Sequence, residues 1–143
     1  MNLYKYLGDG RVRSYQLINI IIAGVIVLII IYSGIFSPLE NRYPVKCVHE
    51  QFTGEPCPSC GLSHSFSYIV RGDLVRANDW NVYGIRVFLF FLFQLFLRGS
   101  NFIYLNYNPL NIRYVARVDI SLSVITFILG FSQFISYNLR LIL

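Results

Sequence analysis

The sequence predicts an all-α integral membrane protein: three transmembrane helices, with a short amphipathic helix hairpin in the first loop. Three observations predict it. Of 143 residues, 55% are hydrophobic and only 13% are charged, where soluble domains carry about 25% charged residues. The apolar residues gather into three long blocks, and all the cysteine and histidine falls in the loop between the first two. With a mean hydropathy of +0.54, too little polar surface is left to cover a water-facing body, so the solvent is the lipid bilayer. A single membrane domain, residues 1–143, accounts for the length.

The first block, Leu17 to Phe36, contains no charge, and residues 17–36 at about 1.5 Å each match a hydrocarbon core of about 30 Å. Lys5, Arg11 and Arg13 precede it, as they would a signal peptide. A cleavable apolar core is shorter, about 7–15 residues, and ends in an A-x-A-like site, so the block reads as a retained anchor. The second block, residues 82–104, is bordered by Arg86 and Arg98. Either it spans, with both arginines snorkelling or facing protein, or it dips in and returns; spanning is the expectation. The third block, residues 120–137, crosses between Asp119 and Arg140, and its Gly130 suits close helix contact. Between the last two blocks, Asn101 to Asn111 interleaves Tyr and Phe with Asn around Pro109, which suits an interfacial loop.

Basic residues near the spans give the orientation. The tail has Lys5, Arg11 and Arg13, and the segment after the second block has Arg98, Arg113 and Arg117, so that side is expected to be cytoplasmic. The loop of residues 37–81 mixes both signs of charge and is expected outside, with the N-terminus in and the C-terminus out. Its cysteines would then meet an oxidising compartment. The twelve Lys and Arg and the net charge of +5 are scattered singly between apolar runs, which excludes a nucleic-acid groove.

Within the loop, Cys47, Cys57 and Cys60 cluster with His49 and His64. In Cys57-Pro58-Ser59-Cys60-Gly61, Pro58 stiffens the turn and Gly61 can adopt φ > 0, which makes a knuckle suited to metal or disulfide. Three chemistries stay open. Cys47, Cys57, Cys60 and His49 or His64 could complete a tetrahedral zinc site, although one knuckle alone is unlike the usual zinc ribbon. Cys47 could pair with Cys57 or Cys60, closing a ring worth on the order of 3 kcal/mol in the chain-entropy model. Cys57 and Cys60 could form a redox pair whose outer thiol is acidified by the helix that starts near Leu62. Quinone-coupled oxidases of that kind relay electrons through a second pair, and three cysteines cannot make two pairs. No metal or organic cofactor other than zinc is suggested.

Residues 62–71 carry Leu62, Phe66, Ile69 and Val70 at helical spacing. Gly72 and Asp73 then read as the C′ stop of one helix and the N-cap of the next, which runs from Leu74 to about Asn81 and brings Trp80 and Tyr83 to the bilayer surface. Arg71-Gly72-Asp73 also spells an integrin-recognition tripeptide, but capping uses all three residues without a partner.

The order Cys47, Thr53-Gly54, Cys57-Pro58-Ser59-Cys60-Gly61, Gly72-Asp73 and Asn81 resembles a bacterial family of small membrane proteins, domain of unknown function 2752. Members commonly continue Cys-Gly-x-Thr-Arg, where this chain has Gly61-Leu62-Ser63-His64, and have Asn-Pro where it has Asn81-Val82. The resemblance implies a bacterial multi-pass protein with a cysteine-bearing loop and transfers no activity. The expected function is a non-enzymatic subunit or accessory of a membrane complex in the bacterial inner membrane. Its partners are other membrane subunits or further copies of itself, and Arg86 and Arg98 are the candidate partner-facing residues. The alternatives are a membrane thiol–disulfide oxidoreductase and a structural zinc protein.

Overall fold

A computed structural model describes residues 10–36 and 58–142. In chain order these form α1 (Gly10–Ile35), α2 (Leu62–Val70), α3 (Leu74–Trp80), α4 (Gly84–Tyr107), a single 3₁₀ turn (Pro109–Asn111) and α5 (Ile112–Ile142). Among the described residues, three helices are long and apolar enough to cross a membrane: α1, α4 and the stretch containing α5. The protein is therefore a multi-pass membrane protein.

Each span is longer than its apolar block. The 26 residues of α1 extend about 39 Å at 1.5 Å per residue, which carries Arg11 through Gln16 beyond the apolar run. α4 is one continuous helix of 24 residues, so the second block crosses without dipping back. The Tyr/Asn stretch departs from expectation. Asn101 to Tyr107 is the last part of α4, and only Asn108 and the 3₁₀ turn separate it from α5. Nothing before Pro109 stops the helix, because Asn and Tyr are merely poor helix formers. Pro109 opens the turn with a φ already suited to it and no N–H to satisfy.

α4 packs against both α1 and α5, and the α2–α3 hairpin sits over one end of the bundle against α1 and α4. There Phe66, Val87 and Phe88 form a buried cluster, flanked by Ile29, Ile30, Phe131 and Phe134. Edge-on ring contacts extend it: Phe66 lies 5.2 Å from Phe88, and Phe90 lies 5.3 Å from Phe131, centroid to centroid. At Gly130 a Cβ would stand 3.2 Å from the Phe90 Cβ. α4 and α5 thus approach closely where a small residue permits it, as expected.

The hairpin turn follows the capping logic of its sequence. Gly72 adopts φ +82°, its N–H bonds the Ile69 carbonyl at 2.9 Å, and the Asp73 N–H bonds the Tyr68 carbonyl at 3.0 Å, which together make a Schellman stop. Asp73 then accepts from the Arg76 N–H at 3.0 Å and starts α3.

Candidate functional site

The described part of the cysteine knuckle begins at Pro58, in the turn that leads into α2. Asn81, at the end of α3, holds it. The Asn81 side-chain amide donates to the Pro58 carbonyl at 2.8 Å and to the Cys60 carbonyl at 2.9 Å, while its Oδ1 accepts from the Tyr83 N–H at 2.9 Å. One side chain thereby ties the knuckle to the start of α4. Gly61 is required by the same geometry: its φ is +76°, and a Cβ there would stand 2.5 Å from the Trp80 carbonyl oxygen. Next to it, His64 stacks on Trp80, 4.2 Å between centroids and 10° from parallel.

Two contacts fix the hairpin to the spans. Gly84 leaves room for buried Ser65, since a Cβ at Gly84 would overlap the Ser65 hydroxyl at 2.0 Å. Arg71 reaches back to the end of α1, where Nη1 donates to the Ser33 carbonyl at 3.2 Å and Nη2 to the Gly34 and Phe36 carbonyls at 2.9 and 3.3 Å. It also donates to the Ser67 carbonyl at 2.8 Å, and Ser67 Oγ donates to the Phe36 carbonyl at 2.6 Å. A guanidinium thus satisfies the orphan carbonyls at the negative end of the first span. Arg71, Gly72 and Asp73 are all occupied within the fold, which agrees with the capping reading of that tripeptide.

A second site lies between the spans, toward the end away from the hairpin. Arg98 of α4 is 7% exposed, Asp119 of α5 3% and Asn19 of α1 1%. Arg98 Nη1 donates to Asp119 Oδ2 and, at 2.9 Å, to Asn19 Oδ1. Its Nη2 donates to Gln94 Oε1 at 3.0 Å and to Ser123 Oγ at 2.8 Å. The Tyr15 hydroxyl donates to the same Asp119 oxygen at 2.7 Å, and Asn101 donates to that hydroxyl at 3.2 Å. Gln94 passes the chain on to Thr126 at 3.2 Å. All three spans therefore contribute to one polar ladder around one ion pair.

This corrects the expectation for Arg98 as a partner-facing residue. It is buried inside its own chain, because a charge in a low-dielectric setting is held where a counter-charge and several acceptors converge. Arg86, in the first turn of α4, is exposed. By sequence, Asp119 reads only as the border of a span, and neither Asn19 nor Gln94 stands out. The signal was present: Gln94 and Arg98, and likewise Asp119 and Ser123, are four residues apart and share a helix face. An ionisable residue within or beside an apolar run is a site by default.

Of the other expected site residues, Cys47, His49 and Cys57 lie outside the described residues. Cys60 is half-buried at the mouth of α2, and His64 lies in the first turn of that helix. Among the described residues, no group of three His, Cys, Asp or Glu side chains comes together to hold a metal.

With this geometry established, comparison with known proteins gives one family. Residues 47–95 match the model described as Protein of unknown function (DUF2752), which bears out the family resemblance. The match runs past Asn81 into α4 and ends before Arg98. No curated protein and no solved structure matches the chain.

Proposed function

We propose that this protein is a non-enzymatic small subunit or accessory of a membrane protein complex. In this reading it sits in a bacterial inner membrane, N-terminus in the cytoplasm, and presents its cysteine loop on the outer face to a partner subunit. The observation that carries the reading is the clamp at Asn81. A side chain that bonds two carbonyls of the knuckle and the N–H of Tyr83 fixes the end of the loop relative to the spans. Such fixing of Pro58 to Cys60 suits contact with a partner, because a segment already held in place loses less entropy on binding.

The test is purification of the tagged full chain from its native membrane in mild detergent, with a photo-crosslinker placed in the cysteine loop. The expected result is one membrane polypeptide crosslinked from the loop and recovered in fixed proportion, with recovery reduced by Asn81→Ala. A lone chain that forms no crosslink overturns the proposal. An impermeant maleimide, applied to intact cells after mild reduction, should reach the cysteines; protection until the cells are broken would invert the orientation.

One observation favours a second reading, a thiol–disulfide oxidoreductase using Cys57 and Cys60. Cys60 is half-buried and stands two residues before the N-terminus of α2, the end of a helix that favours a thiolate. In that reading Cys57→Ser spares the fold and abolishes thiol exchange. A structural staple or a zinc ligand at Cys57 instead costs stability on the same substitution, and metal analysis of the purified protein separates those two.

A further inference from the structure

A shallow groove of about 440 Å³ runs between α4 and α5 on the outside of the bundle, with Arg86 at its upper end and Leu89, Phe90, Phe93, Leu129 and Gly130 along it. Leu89 is 57% exposed and Leu129 64%, so the groove opens sideways to where lipid chains lie. Arg86 is exposed and has no hydrogen bond or ion pair among the described residues. That contrasts with Arg71 and Arg98, whose guanidiniums are engaged within the chain. From Arg86 to the level of Gln94, which bonds groove-lining Thr126 at 3.2 Å, the helix descends about 12 Å. That is a little less than one leaflet, which is about half of a 30 Å core.

We propose that this groove is a binding site for an anionic phospholipid, with the phosphate on Arg86 and one acyl chain lying along the groove. The charge has the correct sign and position. Arg86 lies in the first turn of α4, where the positive end of the helix adds to its own charge. The polar headgroup and the apolar chain of a lipid match in order what the groove offers from its mouth inward. Gly130 sets the groove's depth, because any larger residue would press on Phe90.

The test uses the full chain reconstituted in phosphatidylcholine vesicles containing phosphatidylglycerol. Spin-labelled forms of the two lipids report how much of each is held at the protein. Wild type should hold phosphatidylglycerol about fivefold better than phosphatidylcholine, the weight of one basic residue near an anionic lipid. Arg86→Gln should bring the ratio close to one, Arg86→Lys should keep most of it, and Arg140→Gln should leave it unchanged. High salt should reduce the wild-type preference without any substitution. Equal holding of both lipids by wild type, or a preference that Arg86→Gln or salt leaves intact, overturns the proposal. So does a co-purifying protein that is lost with Arg86→Gln while the lipid ratio stays the same.

Discussion

At the hairpin end, α1, α4 and α5 meet through Phe66, Phe88, Phe131 and their neighbours, whereas at the opposite end the same three helices meet through Tyr15, Asn19, Arg98 and Asp119. The difference is one of specificity. In lipid, apolar side chains gain little by leaving hydrocarbon tails for one another, so ring contacts work through shape and close packing. A phenyl ring can shift and find another ring. Arg98 cannot, because its donors must face Asn19, Gln94, Asp119 and Ser123 together, which sets the rotation of each helix.

The largest effect should come from breaking the polar end. Asp119→Ala leaves the Arg98 guanidinium buried without its counter-charge, and removing one partner of such a pair costs about 3–5 kcal/mol. Thermal unfolding in detergent, followed by circular dichroism, should register it. The double variant Arg98→Met with Asp119→Leu should recover most of the loss, and a double variant as unstable as the single one would show that the pair does more than neutralise itself.

At the hairpin end, Gly61→Ala should be next in size. The left-handed backbone alone costs about 1–2 kcal/mol, and the overlap with the Trp80 carbonyl adds to that. Because the damage is confined to the knuckle, hydrogen exchange should rise in α2 and α3 and stay unchanged around Arg98. Arg71→Ala removes the cap on α1 and should cost about 1–2 kcal/mol, with the exchange increase centred on Ser33 to Phe36. Arg76→Ala should be smallest, below about 0.5 kcal/mol, since its 3.2 Å pair with Asp73 is exposed to solvent.

These two ends were unequally legible. The hairpin could be read because its signals are local: Gly72 stops one helix and Asp73 starts another whatever surrounds them. The spans could be read from length and apolarity alone. The polar ladder is legible only within each helix, as the four-residue spacing of Gln94 and Arg98 and of Asp119 and Ser123; the pairing of Asn19, Arg98 and Asp119 is not, because only the packing of α1 and α5 on α4 makes these remote residues neighbours. The Tyr/Asn stretch after Arg98 departs from its expectation for a related reason: its composition is that of an interfacial loop, but a helix continues until something ends it, and the first such residue is Pro109.

The position of Asp119 has a consequence for how this protein is made. Synthesis delivers α4 before α5, so Arg98 reaches the insertion machinery while Asp119, 21 residues behind it, is still inside the ribosome. For that interval the cation has only Gln94 from its own helix and Asn19 from the preceding one. A helix with an unneutralised arginine resists release into lipid. With only Asn108 to Asn111 between them, the last two helices should leave the insertion channel as a pair, and a chain truncated before Asp119 should leave Arg98 without the counter-ion that lets it settle in the bilayer.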